Sequence, residues 1–246
     1  MPQSRKIDEL FQNPPPFRFY DTQHLVTLAL GVLFTVWLVF SAKRFPRKLT
    51  DWQARIMAVV LFSIYPLNLL WIYPNMGAAT PLPMHLCGWS AITGGIALLT
   101  RRRIFAELTY FWALAGATNA LITPDLGEGF PHPRFIVFFV HHAGVIAVAI
   151  WLSAGMGLYP RKGSVWKIFL VWTQVYLVTA LLVNGLTGHN YGFLRHKPDD
   201  GSGGSMLDFL GPWPVYIIWM ELICLVFFLL LDLPWRFVRR KKGRNE

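Results

Sequence analysis

Charged residues are scarce in this chain, 15% of its 246 residues against 54% hydrophobic. Soluble domains average about a quarter charged residues, so there is too little polar surface here to cover a water-soluble globule. Cysteine is nearly absent. Cys87 and Cys224 are the two present, and they offer neither a disulfide framework nor zinc-ribbon spacing. The first apolar run begins near Gln23, behind a polar, proline-containing leader and with no small-residue cleavage site after it, so no cleavable signal peptide is expected. No internal repeat marks a transporter built of inverted halves.

Apolar runs are what the chain has in quantity. Eleven Trp and nineteen Phe suit lipid-facing and interfacial positions. A spanning helix needs about 20 largely apolar residues, and seven segments approach this: 22–42, 52–72, 85–100, 104–122, 134–156, 165–187 and 212–234. The expected fold is therefore all-α: a polytopic membrane protein, a bundle of seven transmembrane helices, forming one domain over 1–246 with 235–246 as a basic cytoplasmic tail. The third segment is short and rich in glycine (Gly88, Gly94, Gly95), which predicts central packing or a break at its outer end.

The formal net charge of +10 would suit a nucleic-acid partner, but the basic residues sit in short clusters between apolar runs rather than along one face. They read as topology signals. Lys43, Arg44, Arg47, Lys48 and Arg55, then Arg101–Arg103, then Arg161, Lys162 and Lys167, then Arg236 to Arg244 fall in alternate loops and the tail. The remaining loops carry little beyond Arg134, Arg195 and Lys197. Cytoplasmic loops hold the Lys and Arg excess, so the N-terminus is expected outside and the C-terminus inside. The loop after the sixth segment contains Asp199, Asp200 and a flexible run, Gly201–Ser205.

Each polar side chain within hydrocarbon is costly and worth locating. On this topology Asn68, Asn119 and Asn184 fall at outer helix ends, Asp125 follows the fourth helix, and His85 and Cys87 open the third. His141 and His142 lie roughly 10–12 Å below the outer end of the fifth helix, and Glu221 roughly 13 Å into the seventh. The inner half is apolar apart from Gln174. A polar cavity open to the outer leaflet is the expected arrangement. Asn68 and Asn119 also have a plainer reading as interhelical hydrogen bonders, and Cys224 as a packing residue. Glu221 needs a partner at its depth, such as His142, or a raised pKa. The two histidines project about 100° apart, so at most one is expected to face a given cavity.

A thiol becomes a good nucleophile once an imidazole takes its proton. Cys87 and one of the two histidines form such a pair if the third helix starts below the surface, with Glu221 or Asp125 orienting the ring. The chemistry implied is acyl transfer through a thioester on a lipid ester. The donor types of His85, Cys87 and His142 also suit zinc. Retinal chemistry is excluded because the seventh segment has no lysine, bis-histidine haem because no further histidine lies deep, and di-iron desaturation because His-rich clusters are lacking at helix ends. No cofactor or resident metal is expected.

Several longer motifs carry a resemblance. Pro83-Met-His-Leu-Cys87, Leu-Leu-Thr-Arg-Arg-Arg103, Phe-Trp-Ala-Leu-Ala-Gly116, Leu-Ile-Thr-Pro-Asp125, Phe-Pro-His132, His141-His-Ala-Gly144, Val-Asn184, Asn190-Tyr-Gly-Phe-Leu194, Lys197-Pro198 and Leu-Gly-Pro-Trp-Pro214 together resemble the YwaF-like bacterial integral membrane proteins. That family looks related to eukaryotic transmembrane protein 164, an acyltransferase that remodels ether phospholipids through a cysteine and a histidine. A more distant likeness to the androgen-induced hydrolase family points to similar ester chemistry. The resemblance implies Cys87 as acyl-accepting nucleophile. It implies His142 as base, because relatives carry a histidine followed by a small residue and glycine, as in His142-Ala-Gly144. No role passes to His141.

The expected function is a membrane-embedded acyltransferase or lipid hydrolase of the bacterial plasma membrane, acting on membrane phospholipids from the exoplasmic side. Cys87 and His142 are catalytic, and His85, Asn119, Asp125, Asn184 and Glu221 form the supporting polar cavity. A small-solute transporter or channel, or a non-catalytic membrane scaffold, are the competing readings.

Overall fold

The computed structural model describes residues 14–72, 82–197 and 206–242. Asp199, Asp200 and the run 201–205 lie outside these residues. Among these residues seven long helical runs follow one another. They are α1 (Thr22–Arg44), α2 (Arg47–Leu67, continued by a π-helical turn Asn68–Ile72), α3 (Leu86–Thr100) and α4 (Arg103–Trp112, with a π-helical turn Ala113–Ala117 and then Thr118–Ile122). Next come α5 (Pro133–Ile150, with π-helical Trp151–Gly155), α6 (Ser164–Lys167, π-helical Ile168–Thr173, then Gln174–Thr187) and α7 (Val215–Lys242). Five of them, α1, α2, α5, α6 and α7, are long and apolar enough to cross a membrane.

Local chemistry sets the boundaries. Asp21 caps α1, its carboxylate accepting the His24 N–H at 2.9 Å, and that bond holds its pKa below the usual carboxylate value. The chain leaves α1 at Phe45, ahead of Pro46, where a proline disfavours helical geometry in the residue before it. Pro66 supplies no N–H to the ladder of α2, and the helix widens into its π turn two residues later. α7 does not stop at Pro234 but runs on through the basic residues to Lys242.

α3 is the centre of the bundle, packed against α2, α4 and α5. Its small residues permit this: a Cβ on Gly95 would overlap the Phe62 ring of α2, and one on Gly88 would overlap the Tyr65 hydroxyl. Thr109 of α4 donates a hydrogen bond to Thr93 of α3 at 3.0 Å. Leu38, Leu61, Leu98, Val148 and Trp151 knit α1, α2, α3 and α5 together. Phe111, Trp112, Ile168, Tyr176 and Phe228 do so for α4, α6 and α7. Outside this core the helices present Leu30, Val32, Leu33, Val59 and Leu182 at 60% exposure or more. Apolar exposure on that scale is stable in lipid rather than in water.

The two ends of the bundle are fastened differently. At one, Arg101, the left-handed C-cap of α3 at φ 55°, donates to Asp51 at 2.9 Å and also contacts the Met156 sulfur. Buried Glu107 accepts from the Arg161 guanidinium, the Arg161 backbone N–H and the Ser164 hydroxyl over 2.6–2.9 Å. Those bonds push the Arg161 pKa up further. Asp232 takes Arg236 and Arg239, and Arg239 reaches the Pro160 carbonyl at 2.7 Å. At the other end the fasteners are mostly neutral. Tyr20 donates to the Ile122 carbonyl at 3.1 Å, and the fully buried His24 to that of Leu121 at 2.9 Å. The Phe17 N–H meets the Gly127 carbonyl at 2.8 Å.

A candidate thiol–imidazole site

Cys87 is the second residue of α3, and the length of α3 decides its depth. α3 has 15 residues where α5 with its π turn has 23, a shortfall of eight, or roughly 12 Å at 1.5 Å per residue. His141 is the ninth residue of α5, about 12 Å from its start by the same rise. The start of the short helix is thus level with the two histidines. Residues 82–85 reach that depth as non-helical backbone, covered by the turn Tyr191–Phe193. Non-helical chain inside a membrane protein requires such cover.

The cover is built by Asn184 near the end of α6. Its amide donates to the Tyr191 carbonyl at 2.9 Å, and its oxygen accepts the Tyr191 N–H at 2.7 Å. The Tyr191 hydroxyl accepts the Leu82 N–H at 3.2 Å, and the Gly192 N–H donates to His85 Nδ1 at 3.3 Å. Tyr191 and Phe193 both lie on the His85 ring. Tyr216 of α7 ties the turn down from the other side, donating to the Phe193 carbonyl at 2.6 Å.

Beneath this cover one donor atom each from Cys87, His141 and His142 lies within 4.8 Å of the other two. Both histidines are buried, at 6% and 8% exposure. Their protonated nitrogens follow from their partners, since a carbonyl can only accept. His142 Nδ1–H donates to the Phe138 carbonyl at 2.8 Å, leaving the lone pair on Nε2. His141 Nε2–H donates to the Cys87 carbonyl at 3.1 Å, leaving the lone pair on Nδ1. The backbone N–H groups of Cys87 and Gly88, in the first turn of α3, lie beside the sulfur, and that of Gly88 also donates to the His85 carbonyl at 2.9 Å. Tyr65 packs edge-on against His141 at 5.6 Å.

Several expectations change here. The 100° separation of neighbouring helical positions does not keep the two histidines apart, because their side chains swing together until the ring centroids are 4.7 Å apart. Both meet Cys87. The third member of the pair is neither Glu221 nor Asp125: backbone carbonyls fix both rings. Glu221 is held by Gln174, which donates to it at 2.8 Å, and not by His142. Asn119 is exposed and donates to Ala115 of its own helix at 2.9 Å. Asp125 is exposed beyond the end of α4. The zinc-type grouping joins Cys87 to His141 and His142 rather than to His85. Tyr65 has no signal in the sequence that separates it from the other seven tyrosines, and Tyr191 has none beyond its place in the motif Asn190-Tyr-Gly-Phe-Leu194.

A polytopic helical membrane protein with a thiol and two imidazoles gathered at one depth is the class that fold and site define. The chain belongs to the TMEM164 family, which matches residues 19–232. It is also similar to an uncharacterized protein of Treponema pallidum (strain Nichols), 27% identical over 226 residues that make up 91% of each chain. No solved structure matches. The relation to transmembrane protein 164 anticipated from the motifs therefore holds.

Proposed function

We propose that this protein is a membrane-embedded acyltransferase or lipid hydrolase acting on phospholipid acyl esters. The observation that carries the reading is the convergence of the Cys87 thiol and the His142 imidazole within 4.8 Å, a gap that one water or a small side-chain rotation closes. His142 Nε2 takes the thiol proton, and the sulfur attacks the ester carbonyl carbon. The C–S bond forms, the C–O bond to the lysolipid breaks, and the imidazolium returns its proton to the departing alkoxide. A second alcohol, or water, then gives its proton to His142 and attacks the thioester, restoring the thiol. The N–H groups at the start of α3 are suited to the charge that develops on sulfur and carbonyl oxygen.

In this reading all seven runs are spans, the N-terminus is outside and the basic end faces the cytoplasm, as the Lys and Arg distribution favours. The site then opens to the exoplasmic leaflet of a bacterial plasma membrane. His85 and Asn184 support it, the first beside the histidines and the second through the Tyr191 turn.

The test is intact-protein mass spectrometry after incubating the purified chain with mixed phospholipids. A fatty-acyl increment removed by neutral hydroxylamine is expected on the native protein, with none on Cys87→Ala. If neither the native chain nor His142→Ala, in which deacylation is slowed, ever carries an adduct, the acyl-transfer reading fails.

A further inference from the structure

We propose that Cys87, His141 and His142 form a binding site for a divalent transition metal of the zinc type, with a fourth coordination position left open. The proposal stands on the geometry of the three side chains and does not depend on acyl transfer.

The donor set selects the ion class. One thiolate and two imidazoles suit zinc, cobalt or copper, whereas magnesium and calcium require oxygen ligands. Spacing is the second point. Tetrahedral bonds of about 2.0–2.3 Å put neighbouring ligands about 3.3–3.8 Å apart. One donor atom from each of the three side chains already lies within 4.8 Å of the other two, so the grouping is about 1–1.5 Å wider than a tetrahedral ligand set.

The third point is the outer shell. A metal-bound histidine commonly donates its other ring N–H to a carbonyl or carboxylate, which fixes ring and tautomer. Both histidines already do this: His142 Nδ1–H to Phe138, and His141 Nε2–H to Cys87. The second bond joins one ligand to the backbone of another, coupling α5 to the start of α3. His85 is not a ligand in this arrangement. Its Nδ1 lone pair accepts the Gly192 N–H, so its Nε2 carries the hydrogen and can only donate.

Three protein ligands with an open fourth position are the pattern of a reactive rather than a closed structural metal site. Binding displaces the thiol proton and leaves a +1 centre, from a dication and one thiolate, which favours an anionic fourth ligand such as hydroxide, carboxylate or phosphate. A metal-bound Cys87 sulfur is unavailable for acylation, so occupancy by metal and by acyl group exclude one another.

The experiment uses the full chain in detergent, stripped with a chelator and titrated with Co²⁺. One equivalent should produce a thiolate-to-cobalt charge-transfer band and intense four-coordinate d–d bands, both abolished by one equivalent of Zn²⁺. Cys224→Ser should behave as the native chain. Cys87→Ser should lose the charge-transfer band, and His141→Gln or His142→Gln should each weaken binding beyond the roughly 100-fold that outer-shell changes reach. Absence of the band in folded native protein, its survival in Cys87→Ser, or its loss in Cys224→Ser would overturn the site. Acylation is read separately, in chelator, by mass. An adduct without a cobalt band defeats the metal site alone, and a cobalt band without an adduct defeats acyl transfer alone.

Discussion

The two ends of the bundle differ in how they meet the cost of polar groups in an apolar surrounding. At the basic end each buried carboxylate is enclosed by cations: Glu107 by Arg161 with Ser164, Asp232 by Arg236 and Arg239. Such pairs fix geometry and leave no lone pair to react. At the opposite end the buried or half-buried polar groups include two imidazoles, a thiol, Asn184 and Tyr191, and their partners are mainly backbone carbonyls and N–H groups. Backbone partners orient these rings while leaving one nitrogen of each histidine its lone pair. One end is therefore fastened by enclosed ion pairs, and the other leaves a thiol and two imidazole lone pairs uncommitted to charged partners.

That contrast is best broken by substitutions confined to one end. The largest effect expected is from Cys87→Ala, which should abolish the hydroxylamine-sensitive acyl adduct while leaving the thermal unfolding midpoint in detergent close to native. A large fall in that midpoint would mean that Cys87 is a structural residue.

Glu107→Ala should do the reverse. It strands the Arg161 and Ser164 donors, and because Arg161 is half exposed (51%), the cost should be about 2–3 kcal/mol rather than that of a fully buried pair. Thermal unfolding reads this, and acyl-adduct yield per folded molecule should be unchanged. A coupled loss of adduct would show that the two ends are not independent.

Asn184→Ala should cost about 1–3 kcal/mol, since it leaves the Tyr191 N–H and carbonyl buried without their partner. Its distinguishing effect is local: amides of the Tyr191–Phe193 turn should exchange faster with deuterium while those of α2 keep their protection. Uniform protection throughout would remove the turn from any role as cover for the site.

The smallest effect is expected from Glu221→Gln, where an amide oxygen replaces the acceptor for Gln174. Stability should change by less than about 1 kcal/mol and the adduct should persist. Loss of the adduct would place Glu221 in the chemistry after all.

The sequence by itself determined the class, the long apolar helices and the clustering of charge, because length and hydropathy are properties of each segment alone. The second segment, expected from 52, in fact begins at Arg47 directly after Pro46, while the shortness of α3 was visible in the segment 85–100 and its glycines. Cys87 and the histidine pair were legible as chemistry-bearing types in a setting where they are expensive. Only the tertiary structure decided which of them meet. Side-chain rotation brings His141 and His142 together although their backbone positions diverge, and no periodicity encodes it. Partners far apart in sequence, such as Gln174 with Glu221 and Gly192 with His85, depend on how helices pack. Neutral hydrogen bonds to backbone carbonyls leave no mark in composition, so the groups that hold both imidazoles emerge only once α3 and α5 are side by side.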